Sequence, residues 1–205
     1  MSESNIEVRT PETRRTLWIV LWLNVAISLG FFITGFIGDS LVANGLDNSS
    51  DAIVYGISLL ALTRSHVWKR AAARVSGVML MIFGIGVVAD AIRRFLEGSE
   101  PGGWLMMGMA AVAAVVNVIS LRMMQKLKSK DVNLRAATTF SFNDFLSNGG
   151  IIIAGIVVLV TGSNWPDLLV GVAVAAVAFY GSIEILRDAH QDKHDEEKSA
   201  AEAGE

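Results

Sequence analysis

LVANGLDNSSDAIVYGISLLAL, residues 41–62, has the length and apolar content of a bilayer-crossing helix, yet it carries Asp47 and Asp51. A hydrocarbon core of about 30 Å takes about 20 apolar residues to cross as a helix. An Asp at the centre of such a helix costs about 2.5–3.5 kcal/mol on insertion scales, so two in one span need a compensating task. At about 100° per residue, a separation of four leaves the pair about 40° apart on one face, with Cβ atoms about 6 Å from each other. One small object can touch both.

Working outward, the 205 residues are 52% hydrophobic, with 19 glycines, 3 prolines and no cysteine. Charged residues collect between long apolar runs instead of being interleaved through them, which excludes an ordinary soluble domain. Six runs are long enough to cross: roughly 16–37, 40–62, 75–96, 104–123, 136–161 and 166–186. GDS, EGSEPGG and TGSNWPD break the chain between them. The expected fold is therefore an all-α integral membrane protein with six transmembrane helices. A polar arm (1–15) precedes the membrane domain (16–187), and a short acidic tail (188–205) follows it. The first run is too long for a signal-peptide core and lacks a small-residue cleavage site, so it reads as a retained span. Without cysteine, disulfides, thiolate metal sites and cysteine nucleophiles are excluded.

Lys and Arg set the orientation, because they are retained on the cytoplasmic side during insertion. Of the 17, all but Arg93 and Arg94 fall in the first arm, after the second run, after the fourth run or in the tail. Both termini are expected in the cytoplasm. The cluster KLKSK (126–130) belongs to this topological signal and suits anionic lipid; nothing in the chain points to nucleic acid.

The fifth run supplies a third carboxylate, Asp144, in FSFNDFLSN. With the stated topology Asp51 lies about 16 Å below the outer surface and Asp144 about 12 Å above the inner one, so in a core of about 30 Å their depths nearly coincide. Acids gathered in low dielectric repel one another, and either protons or a divalent cation must join them. Each species displaces the other, and exchange of metal for protons is the mechanism this arrangement favours.

These residues resemble the cation diffusion facilitator family. GDSLVANGLDNSSDA is similar to its second-helix motif, a His or Asp four residues before an Asp, with Asp47 and Asp51 in the two positions; DAIRR (90–94) resembles the end of its third helix, and Asn117 falls where its fourth helix carries an Asn. NLRAATTFSFNDFLSNGGIIIAG resembles the fifth helix and TGSNWPD the turn before the sixth. The resemblance implies six spans and export of divalent metal from the cytoplasm, with zinc or cadmium first and manganese or iron behind. It also implies metal/proton antiport, homodimers, contact with membrane lipids and, for so compact a chain, a bacterial inner membrane. Asp47, Asp51 and Asp144 would be the metal ligands. The position four residues before Asp144, a ligand in relatives, is Phe140 here. Asn148, Asn44, Ser141 and Asn143 are the candidates to complete the shell, with Asn148 and Asn44 favoured for their amide oxygens. An all-oxygen shell moves preference toward harder cations such as Mn²⁺. The short tail is expected to mark a branch without a C-terminal cytoplasmic domain.

Other features carry milder expectations. Asp90 with Arg93 and Arg94 reads as a local ion pair, and HQDKHDEEK (190–198) as a solvated acidic tail whose His190, Asp192, His194 and Asp195 could hold metal weakly. His66 is expected to be exposed. Asn24 and Asn117 taken singly read as polar glue between helices, and Gly149, Gly150 and Gly155 as close-packing positions. No enzymatic chemistry is expected: an intramembrane aspartyl protease would need a Gly-x-Gly-Asp sequence, and GIGVVAD (84–90) lacks it. The alternative to a transporter is a non-transporting regulatory or scaffold subunit of a metal-homeostasis system.

Overall fold

The computed structural model describes residues 10–35, 41–97, 104–163 and 165–202. Among them the chain forms six α-helices and no strand: α1 (Pro11–Gly35), α2 (Leu41–Ala61), α3 (His66–Glu97), α4 (Trp104–Lys126), α5 (Val132–Thr161) and α6 (Trp165–Glu202). Four described segments, Pro11–Ile33, His66–Arg93, Val132–Thr161 and Leu168–Ser199, are long and apolar enough to cross a membrane; Ser49–Ala61 of α2 is a shorter apolar segment. Large apolar side chains such as Ile33, Leu60, Ile82 and Val160 are more than half exposed, as expected where lipid, no less apolar than Leu, is the surrounding solvent. The protein is an all-helical integral membrane protein.

The most extensive packing joins α3 to α6 and α1 to α2, while α5 touches α2, α3, α4 and α6 and so bridges the two pairs. Missing side chains permit the α3–α6 approach. A Cβ on Gly171 would lie 2.6 Å from the Ala91 Cβ, one on Gly84 2.9 Å from Phe179, and one on Gly77 3.0 Å from Leu186. Of the glycines expected to pack closely, Gly150 does so, against Val170 and Val174, whereas Gly149 and Gly155 face open space. The boundaries of α5 are set chemically. The Asp131 carboxylate accepts from the backbone N–H groups of Asn133 and Leu134 at its start, and Gly162, at φ 64°, returns its N–H to Val158 at its end.

Two boundaries differ from the hydropathy reading. The basic stretch after the second run is the first turns of α3, which begins at His66 and not near 75. Lys69 and Arg70 lie inside it and are buried, because each meets a carboxylate from far along the chain. Lys69 Nζ is 2.7 Å from Asp131 Oδ2, and Arg70 pairs with Asp192 at 3.3 Å and with Glu196. Likewise α6 does not end near 186 but continues to Glu202. Asp188 pairs with Arg135 at 2.5 Å and Ala189 is fully buried, so this continuation is docked and only partly solvated.

Candidate functional site

The middle of α2 meets the first half of α5. At their basic ends the two helices are tied by Asn133, which is fully buried and donates its side-chain N–H to the Ser58 carbonyl at 2.9 Å. From that tie Asp51 is about 10 Å along α2 and Asp144 about 16 Å along α5, in antiparallel helices rising together. Each Cα–Cβ bond leans toward its own helix's N-terminus, which raises the Asp51 carboxyl, lowers that of Asp144 and closes most of this offset. Both side chains are 1% exposed. Tyr55, one turn after Asp51, is fully buried, its hydroxyl beside Ser141 and within electrostatic range of both carboxylates. Buried carboxylates from two separate helices thus act on the same buried phenol.

Asp47 lies one turn before Asp51 in α2, but its side chain, like that of Asn44, falls outside the described residues. Among the described residues no three His, Asp or Glu side chains gather into a metal-holding group. The other shell candidates separate by direction. Ser141 faces Tyr55. Asn148 is buried one turn beyond Asp144 and donates to the Asp144 carbonyl at 3.0 Å, which leaves its amide oxygen available. Asn143 turns instead toward α6, where its Nδ2 lies against Gly181 so closely that a Cβ there would sit 2.5 Å away. Phe140 is 2% exposed and joins the apolar core with Val54, Tyr55 and Ala137, so the wall below Asp144 is hydrocarbon.

Tyr55 escapes a search for charged residues, although the same four-residue spacing that links Asp47 to Asp51 carries the face on to Tyr55. In α1 and α4, Asn24 and Asn117 are buried, and Asn24 donates to the Val20 carbonyl at 2.9 Å. The Asn24 side-chain oxygen and the Asn117 side-chain nitrogen have no hydrogen-bond partner among the described residues. Nearby, Ser28 and Ser49 join α1 to α2 through their hydroxyls at 2.5 Å. Asp90 pairs with Arg93 at 2.7 Å in an exposed i,i+3 bridge, as expected; the Arg94 side chain is outside the described residues.

The family model for the cation efflux transmembrane domain matches residues 17–192. The chain is 24% identical over 204 residues to the zinc transporter ZitB of Escherichia coli, an alignment covering 91% of this chain and 65% of that protein. It is 25% identical over 175 residues to the cadmium, cobalt and zinc/H(+)-K(+) antiporter of Bacillus subtilis, covering 78% and 56% of the two chains. With the metal cation efflux system protein CzcD of Cupriavidus metallidurans it shares 24% over 174 residues, covering 78% and 55%. The chain spans at most 65% of the length of these relatives. With the family model matching most of its residues and the α2 and α5 acids in the expected helices, this chain belongs to the cation efflux, or cation diffusion facilitator, family.

Proposed function

We propose that the protein moves divalent metal cations out of the cytoplasm in exchange for protons, with Asp51 and Asp144 as ligands and Asp47 as the third. The observation that carries this reading is the burial of two carboxylates, one from α2 and one from α5, each within electrostatic range of Tyr55. Two negative groups in low dielectric take up positive charge, either as protons or as a cation. Loading by metal expels protons, and reprotonation from the far side expels metal, so coupling needs no separate relay. Ser141, beside Tyr55, and Asn148, one turn beyond Asp144, are the shell residues this reading favours; Asn143, with its amide nitrogen against Gly181, is disfavoured.

Zinc and cadmium head the substrate list because the relatives include a zinc transporter and a cadmium, cobalt and zinc antiporter. Manganese and iron follow from the oxygen-rich shell. A homodimer in a bacterial inner membrane, with both termini cytoplasmic, completes the proposal. Purified protein in liposomes loaded with a metal-sensitive dye and a pH dye provides the test: zinc entry with opposite proton movement is expected. Phe140 buried in the apolar core supports a second reading, that of a membrane subunit which does not transport, and in the same assay that reading gives no flux of either ion.

A further inference from the structure

The segment after the sixth apolar run is helical, and this decides which of its side chains face outward. Asp188, Asp192 and Glu196 recur at every fourth residue and form one stripe. That stripe is held by Arg135 of α5, 2.5 Å from Asp188, and by Arg70 of α3, 3.3 Å from Asp192 and also paired with Glu196. Ala189 is fully buried beside it. With this face fixed, His190 and His194 are turned outward, both exposed and one turn apart. They line an open groove of about 700 Å³ along α6 together with Arg187, Gln191, Asp195 and Lys198.

We propose that His190 and His194 form a two-imidazole chelate for a divalent transition-metal cation on the outer face of the α6 continuation, separate from the buried acids. Residues at i and i+4 on a helix place their Cβ atoms about 6 Å apart, a span that two imidazoles close around one ion at Zn–N distances of about 2.0–2.1 Å. Nitrogen donors select zinc, nickel or copper over magnesium and calcium. The ion pairs behind the helix fix its rotation, so the two rings are presented together without further ordering of the backbone. Water fills the remaining positions, and of the charged side chains in the same groove Asp195 attracts the cation while Arg187 and Lys198 oppose it. Asp192, which sequence spacing groups with the two histidines, is drawn away to Arg70 and is not a ligand. This site does not depend on the transport reading.

The chain has 3 histidines and no cysteine, so imidazole coordination has few sources. Cu²⁺ added to the full chain in detergent and read by electron paramagnetic resonance should show splitting from two imidazole nitrogens. The splitting should persist in His66→Ala, fall to one nitrogen in His190→Ala or His194→Ala, and vanish in the double variant. It should also persist in Asp51→Asn/Asp144→Asn, whose transport is lost, which separates this proposal from that one. Splitting from fewer than two nitrogens in the unsubstituted chain, or unchanged splitting in the double histidine variant, would overturn it. Both histidines are exposed, and an unchanged helical circular dichroism spectrum confirms that the variants fold.

Discussion

Helix α5 carries two aspartates about 20 Å apart, and they meet opposite surroundings. Asp131, at its start, receives two backbone N–H groups and the Lys69 ammonium, so its charge is matched within a short radius. Asp144 is more deeply placed and, with Asp51 of α2, acts electrostatically on the buried Tyr55. The same residue type on the same helix thus serves two ends. The first acid holds the bundle together. The second, on the proposed reading, is the one that exchanges its proton for metal.

The largest test of that contrast replaces the second kind of acid. Asp51→Ala or Asp144→Ala is expected to abolish metal flux in liposomes while leaving helical content intact; full flux in either would remove the pocket from the mechanism. The reverse pattern is expected for the first kind. Lys69→Ala leaves Asp131 buried without its cation, and breaking such a pair costs about 3 kcal/mol, read as earlier thermal unfolding in detergent. Asp131→Asn, which keeps the helix cap, should recover part of that loss in the Lys69→Ala background.

A finer probe is Phe140→His, which puts nitrogen into the hydrocarbon wall one turn before Asp144. Metal preference should move toward zinc over manganese in competition flux. An unchanged ranking would mean that this wall does not face the cation.

Smaller still is the docking of the α6 continuation. The hydrogen bond from Arg70 holds the Glu196 carboxyl below the usual carboxylate range. A lowered value means that its contribution is present at neutral pH and is lost as pH falls through that value. Amide exchange over residues 188–202 should therefore quicken on acidification, and in Arg70→Ala it should already be quick at neutral pH. The least effect belongs to Asp90→Ala. Its partner Arg93 is exposed, so flux should weaken only slightly.

Much of this organisation is legible in the linear chain, and what is not has a common physical origin. The helices around Asp51 and Asp144 follow from apolar run length, and the burial of the two acids follows from the cost of an acid facing lipid, because both are local properties of a span. The first turns of α3 and the last of α6 are not legible in that way. Lys69 and Arg70, set among Arg64 and Arg74, resemble a polar loop until their partners are known, and Asp131, Asp192 and Glu196 lie far along the sequence. Hydropathy scores a buried, matched charge as it scores a solvated one. His66 shows the same limit: expected to be exposed, it is partly buried and sits close enough to Glu196 to help lower its carboxyl.

The glycines between α3 and α6 work like the notches of a vernier. At Gly171 and Gly84 the opposing Ala91 and Phe179 already occupy the space that a methyl would need, so sliding either helix along the other brings side chains into collision. Axial alignment is thereby locked at the end of the seam remote from Arg70, and that alignment fixes the height at which the guanidinium finds its two carboxylates. One added carbon at Gly171 would be felt a membrane's thickness away.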